Sequence, residues 1–388
     1  MRMNDLRGVL QGHVDSGIVP GAVALVARGD DVEVEAVGSM DVEGSAPMAR
    51  DSIFRIASTT KPICAAAVMV LVEDGRIALD EPVDRWLPEL AAPTVVRTPS
   101  SPVDDVVPAE RPITVLDLLT FRSGYGFPSN FSFPQVQQLF TVQTDGREVQ
   151  LRPDPDTWMA ALGRIPLLHQ PGAAWLYDTS ADLQGVLIAR ASGRSLPEFL
   201  AERLFEPLGM VDTAFEVPAS KRHRFTSYYK PGADGRLELA DGPDGQWSSV
   251  PAFPAGSGGL AGTVDDWHRF ARMLLDEGMA AGGKRVLSAE SVRLMLTDQL
   301  TAAQCAANPL FLEGQGWGFG GSVDVEPTNP WNVVGRYGWT GGTGTAAHVV
   351  PSERAVHILF TQRGVVSPVT PQPTLDFWRH AAGGGAAE

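Results

Sequence analysis

The sequence predicts an α/β (α+β) protein. An antiparallel sheet is built from both termini and flanked by helices, and a mainly helical domain is inserted between the two halves. Three observations carry this reading. Strand-like apolar runs lie near both ends of the chain, a Pro-rich stretch with helical patterns separates them, and a continuously apolar helix follows the first strands. Residues 1–80 together with 246–388 are assigned to the sheet domain and 81–245 to the insertion. An active site is expected between the two parts.

The elements follow in order. Residues 4–16 place Leu6, Val9, Leu10 and Val14 on one helical face. Apolar runs at 21–27 and 32–37 flank Arg28-Gly29-Asp30-Asp31, the pattern of a β-hairpin. Residues 63–72 are apolar all round, which predicts a buried helix, with Gly75 as its C-terminal stop. Pro-rich loops at 92–112 and 123–134 alternate with helical patterns at 113–121, 181–192 and 196–204. Thr263 is an N-cap, with Asp265 and Asp266 in the first helical turn. Strand-like runs return at 316–319, 346–350 and 355–361, and a last helix is predicted over 374–382.

Composition narrows the function. The 388 residues carry 46 acidic and 31 basic side chains, a formal charge of −15. Such a surface repels phosphate backbones and anionic lipid, so neither nucleic acid nor membrane is an expected partner. The N-terminus has no uninterrupted apolar core of a signal peptide, and no run of about 18 apolar residues occurs. A cytoplasmic protein is expected, with homo-oligomerisation left open. Cys64 and Cys305 are too few for a disulfide framework and are read as free thiols. Lysine is scarce: only Lys61, Lys221, Lys230 and Lys284 occur.

One of the four opens the buried helix, in Ser58-Thr59-Thr60-Lys61. Positions i and i+3 share a helical face. A serine hydroxyl needs a base within hydrogen-bond reach to act as a nucleophile, and a lysine one turn on supplies it if burial lowers its pKa. A helix start also offers free N–H groups to a developing oxyanion. A second Ser-x-x-Lys, Ser227-Tyr228-Tyr229-Lys230, opens no apolar helix and is read as fortuitous. Competing patterns are missing. There is no Gly-x-Ser-x-Gly elbow, no paired-histidine metal motif and no phosphate loop around the glycines of 256–262. No metal and no cofactor are expected. His169 and His348 are read as structural or cleft histidines.

Phe54-Arg55-Ile56-Ala57 followed by Ser58-Thr59-Thr60-Lys61 resembles the first motif of the serine β-lactamase-like superfamily, and further landmarks follow in order. They are Leu79-Asp80-Glu81-Pro82-Val83, then 113–120 with Ser123-Gly124, then Pro171-Gly172 and Trp175-Leu176-Tyr177-Asp178-Thr179-Ser180, then 204–210, and finally Gly338-Trp339-Thr340-Gly341-Gly342. The resemblance covers nearly the whole chain and implies a β-lactamase/transpeptidase-like fold. It implies Ser58 as nucleophile, with Lys61 and Tyr177 as the general-base pair. In that pair Lys61 either lowers the tyrosine's pKa or takes the serine proton itself. The N–H groups of Ser58 and Gly342 would form the oxyanion hole. Trp339 and Gly341 would line the substrate pocket, and Tyr125 and Phe127, in the loop after the third landmark, are expected on its substrate side.

Two departures steer the substrate. The third motif of β-lactamases and DD-peptidases begins with Lys or His, where this chain has Trp339. Thr179 stands where class C β-lactamases have the Asn of Tyr-x-Asn. A tryptophan at the third motif is similar to the carboxylesterase branch, family VIII. The expected activity is therefore hydrolysis of small neutral esters through an acyl-enzyme. The same intermediate admits an acyltransferase, transesterase or peptide cyclase of secondary metabolism. A β-lactamase or D-amino-acid peptidase, and a non-catalytic ligand sensor on the same fold, are further alternatives.

Overall fold

The computed structural model describes residues 5–383. Residue 4, where the first helix was expected to begin, lies outside them. Helix α1 (Leu6–Asp15) is capped by Asp5, whose carboxylate accepts from the Gly8 N–H. Strands β1 (Gly21–Arg28) and β2 (Asp31–Gly38) form the expected hairpin. Helix α2 (Lys61–Glu73) is buried from Lys61 through Leu71, as a helix apolar on every side must be. Helix α3 (Thr179–Ser192) follows in the middle of the chain. Helix α4 (Val264–Leu275) starts at the Thr263 cap, whose hydroxyl accepts from the Asp266 N–H. Strands β3 (Gly316–Trp317), β4 (Ser322–Val323), β5 (Tyr337–Gly341), β6 (Thr345–Val350) and β7 (Ala355–Thr361) complete the sheet before helix α5 (Gln372–Ala381).

The sheet is antiparallel throughout, in the order β2-β1-β7-β6-β5-β4-β3. The two ends of the chain meet at its centre, where Ala22 of β1 pairs with Thr361 of β7. Alternation of side chains sorts the two faces. Ala24 and Val26 of β1 with Leu359 of β7 pack under Leu6 and Leu10 of α1 and Phe377 of α5. Val23, Leu25, Ile358 and Phe360 turn the other way, into the core that contains α2.

The structure departs from expectation where signals were short. The strand expected at 316–319 ends at Trp317, because Gly318, Gly320 and Gly321 turn the chain against α2. A Cβ on Gly320 would stand 2.6 Å from the Lys61 carbonyl oxygen. Three helices (Ala289–Leu296, Ala302–Ala307 and Pro309–Leu312) lie between residues 289 and 312, a stretch where none was expected. The middle of the chain holds two hairpins besides helices, Thr94–Val96 with Val106–Pro108 and Tyr228–Pro231 with Leu237–Asp241. The second is bonded to the sheet side: Tyr229 N–H donates to Gln362 O at 2.9 Å and Gly364 N–H to Tyr229 O at 2.7 Å. The Thr226 N–H also donates to Ile53 O. Both cysteines are free and buried.

One buried ion pair ties this hairpin to the segment that carries Ser58. Arg55 donates to Asp241 Oδ2 from Nε at 2.8 Å and from Nη2 at 2.5 Å, and from Nη1 to Thr226 O at 2.6 Å, beneath the ring of Phe225. Removing only the carboxylate strands a buried guanidinium. Asp241→Ala is therefore expected to destabilise the protein by about 3–5 kcal/mol, read from equilibrium unfolding in urea.

Candidate active site

Ser58 sits in a short 3₁₀ turn (Ala57–Thr60) that runs directly into α2. In such a turn i and i+3 eclipse, which brings Lys61 over Ser58. Lys61 Nζ donates to Ser58 Oγ at 2.8 Å. Ala57 holds a left-handed φ of 44°, an uncommon conformation for a residue with a side chain. It is fixed from outside. Thr343 Oγ1 donates to Arg55 O at 2.5 Å and Thr345 Oγ1 to Ile56 O at 2.9 Å, so the turn after β5 grips the chain on the approach to Ser58. Gly341 permits this contact, because a Cβ there would stand 2.1 Å from Thr345 Oγ1 and 2.7 Å from Ile56 O. The same grip sets Gly342 beside Ser58 on the wall of one cavity.

Tyr177 arrives from the other part of the chain. Its backbone pairs with Phe127, N–H to carbonyl in both directions, at 2.9 and 3.0 Å. The Tyr177 hydroxyl donates to Ser58 Oγ at 3.0 Å and accepts from Trp339 Nε1 at 2.8 Å. Phe311 stacks on the tyrosine ring at 4.7 Å, and Trp317 meets Trp339 edge-on at 4.8 Å. Trp339 is thus more than a wall, since its indole N–H holds the tyrosine oxygen.

Behind the serine lies a buried polar network. Lys61 Nζ also donates to Ser257 O at 2.6 Å and pairs with Asp178 Oδ1 at 2.7 Å. Asp182, one helical turn beyond, accepts from the Ser257 N–H at 3.0 Å, from Gln143 Nε2 at 2.6 Å and from Arg152 Nη2 at 2.7 Å. Gln143 also reaches Asp178 Oδ2 at 3.1 Å. The glycine-rich run at 256–259 owes its composition to this place. A Cβ on Gly256 would lie 2.4 Å from Ala181 O and 2.8 Å from Cys64 Sγ, between α3 and α2. Burial on its own would pull the Lys61 ammonium down; Asp178, with Tyr177 beside it, outweighs this and holds it above the ordinary lysine value. The lowered lysine pKa expected from sequence is therefore not found, because a carboxylate and not a positive charge faces the amine. Burial likewise pushes the Asp182 carboxyl up, but Arg152, Gln143 and Ser257 hold it below its usual range.

The cavity at Ser58 measures about 290 Å³ and is lined by Tyr177, Phe311, Trp331, Trp339 and Gly342 among others. Arg147 reaches it from the inserted part, its guanidinium bound to Asp145 by two bonds, Nε at 2.8 Å and Nη2 at 2.9 Å. Tyr125 and Phe127 do not line it, contrary to expectation. Tyr125 is buried, and its hydroxyl donates to Ile165 O at 2.8 Å. Phe127 packs on Phe140 at 4.8 Å and serves Tyr177 through its backbone. The second Ser-x-x-Lys lies on a strand, with Lys230 paired to Glu148 at 3.3 Å. His348 is buried on β6 under Trp378. Asp178, Asp182, Arg152 and Gln143 escaped the sequence reading, because only the fold brings them to Lys61.

A family model described as Beta-lactamase matches residues 6–375. The chain belongs to the beta-lactamase family. The chain is similar to Protein Rv1367c of Mycobacterium tuberculosis, with 37% identity over 358 residues, 90% of this chain and 87% of that one. It is also similar to the lovastatin esterase of Penicillium rubens, 30% identical over 360 residues and 86% of each chain. The solved structure of EstCE1, a hydrolase with promiscuous acyltransferase activity, superposes with a TM-score of 0.79 at 23% identity over 97% of both chains. The fold is the β-lactamase/transpeptidase-like one. In this member of the beta-lactamase family the β5 glycine is a packing requirement. Gly341→Ala is expected to cost about 1–3 kcal/mol by forcing β5 off the Ser58 segment, measured as a fall in the thermal unfolding midpoint.

Proposed function

We propose that the protein is a carboxylesterase-like serine hydrolase that cleaves small neutral esters through an acyl-enzyme on Ser58. One observation carries this: Ser58 Oγ is held by both Lys61 and Tyr177, at 2.8 and 3.0 Å, on an aromatic-walled cavity. Ser58 Oγ attacks the ester carbon, and its proton leaves through the Lys61–Tyr177 pair. The N–H groups of Ser58 and Gly342 receive the oxyanion. The C–O bond to the alcohol breaks and the alcohol departs with a proton. Water then repeats the sequence, releasing the acid and restoring Ser58.

The charges near Ser58 favour a neutral substrate. Trp339 occupies the position of a third-motif cation, and the guanidinium of Arg147 is already matched by Asp145. The esterase among the similar proteins supports the same reading. Acyl transfer to an alcohol is the second reading, favoured by the apolar lining of Phe311, Trp331 and Trp339, which disfavours water as the acceptor.

Wild type is expected to turn over p-nitrophenyl butyrate and to gain the mass of one phosphonyl group on treatment with a fluorophosphonate. Ser58→Ala should lose both, and equal turnover by the two proteins would end the proposal. Added alcohol that diverts the acyl group into a new ester, read by mass spectrometry, would promote the second reading. Trp339→Phe keeps the ring and removes the N–H at the Tyr177 oxygen. It is expected to lower kcat by roughly ten- to a hundredfold with KM little changed, in line with a hydrogen bond to a group that gains charge.

A further inference from the structure

The cavity at Ser58 does not end at Trp339. Among the described residues, β5 has a strand partner on its β4 side only at Tyr337 and Gly338, so its edge is open from Trp339 to Gly341. The same cavity is lined by this open stretch and, beyond it, by Asp324, Arg336, His348 and Trp378. Arg336 stands just before β5 and Gly342 just after it. Roughly 20 Å of strand separates the two, at about 3.3 Å per residue.

The far end has polar groups without partners. Arg336, His348 and Trp378 are each more than nine-tenths buried. Among the described residues, Arg336 Nε and Nη2, His348 Nδ1 and Trp378 Nε1 find no hydrogen-bond partner. The guanidinium lies 4.6 Å from the centre of the Trp378 ring. Its carboxylate contact, Nη1 to Asp324 Oδ2, is long at 3.5 Å, and Asn332 Nδ2 binds the same oxygen more closely at 2.9 Å. Closing the loop between β4 and β5 accounts for Asp324, whose N–H also donates to Arg336 O at 2.9 Å. It does not account for a buried guanidinium with idle N–H groups, which is costly unless an acceptor joins it.

The chemistry of that acceptor follows from the charges. The idle groups of Arg336 and Trp378 are all donors. The charges of Arg336 and Asp324 cancel, and Glu313 lines the same cavity. Burial, helped by the nearby Arg336, holds His348 well below the ordinary histidine value, so the imidazole adds no charge at neutral pH. A carboxylate taken into this end would be an unmatched charge out of water. An uncharged oxygen would use the donors without that penalty.

We propose that the end of the cavity at Arg336 and Trp378 is a second subsite, which takes an uncharged oxygen group, a hydroxyl or a carbonyl, carried on a substrate arm several carbons from the scissile ester. This deepens the ester-cleaving reading of Ser58 and rests on it for the reaction. Arg336 and Trp378 donate to the oxygen, and Asp324 keeps the charge of the subsite at zero. A short alkyl ester meets only the Ser58 end.

The test compares p-nitrophenyl esters of ω-hydroxy acids, from butanoate to decanoate, with their plain counterparts. For arms long enough to reach Arg336, kcat/KM should favour the hydroxylated ester by about tenfold, and the shortest pair should show no difference. ω-Hydroxyalkyl acetates put the same arm on the alcohol, and the gain is expected in one of the two series. No gain in either series at any length would overturn the proposal, with water as the only occupant of the far end. A consistent preference for the plain chain would overturn it by showing an apolar lobe. Asp324→Asn tests the charge, because it leaves Arg336 unmatched. Monoesters of dicarboxylic acids should gain about tenfold on the hydroxylated esters in this variant, and an unchanged ranking would sink the idea. If the variant does not fold by circular dichroism, wild type decides alone: a carboxylated arm preferred to a hydroxylated one refutes an uncharged ligand. Calorimetry with Ser58→Ala separates binding from turnover. Tighter binding of ethyl ω-hydroxyoctanoate than of ethyl octanoate, where wild type hydrolyses no ester, would refute the esterase reading and leave the subsite standing. Ester hydrolysis by wild type with equal binding of the two would do the reverse.

Discussion

The buried nitrogen of Lys61 is the group around which the site is built. Moving a charge out of water costs several kcal/mol even after relaxation, and the penalty is met only by close, complete pairing. Each of the three partners of Lys61 comes from a different segment: the serine turn, the 256–259 loop and the start of α3. Satisfying one nitrogen therefore fixes three pieces of chain against each other. The Ser257 peptide extends the linkage, with its carbonyl on Lys61 and its N–H on Asp182. Gly256 lets that peptide in between two helices.

A second set of restraints acts from the sheet. The hydroxyls of Thr343 and Thr345 hold the carbonyls of Arg55 and Ile56, and Trp339 on the same strand holds Tyr177. One β5–β6 unit thus positions the nucleophile and its tyrosine at once. The tyrosine itself is held by the middle of the chain, through its backbone pairing with Phe127. The oxygen of Ser58 is where these two supports converge. Within the aromatic lining, the indole N–H of Trp339 donates to the tyrosine oxygen from the third-motif position.

Short-range patterns were legible in the sequence, and contacts between distant segments were not. The Ser58–Lys61 spacing, the Thr263 cap and the β1–β2 hairpin each depend on a few adjacent residues, so their chemistry is visible in order. Tyr125 and Phe127 stand beside a family landmark, but their direction is set by carbonyls of Leu162 and Ile165 and by the ring of Phe140, all distant in sequence. Asp178 stood in the sequence only as the unremarked middle residue of the Tyr177 motif, because its pairing with Lys61 arises from a fold that bonds Tyr177 to a remote loop. The helices between 289 and 312 are a different case. Ser288 caps one, and Thr301 with Gln304 forms a capping box on another. Those signals were present and were outweighed by the shortness of the helices.

The joining of β1 to β7 at the centre of the sheet has a consequence for biosynthesis. Ala22 leaves the ribosome long before Thr361, with which it pairs, and must wait for it. Until then the N-terminal hairpin has an open edge, and the β5–β6 turn that grips the Ser58 segment does not exist. A nascent chain therefore carries the complete Ser58–Lys61 motif before the strands that surround it exist. The hydroxyl of Ser58 acquires its environment only once β5 and β6 have been made, so its surroundings belong to the fold and not to the segment that bears the serine.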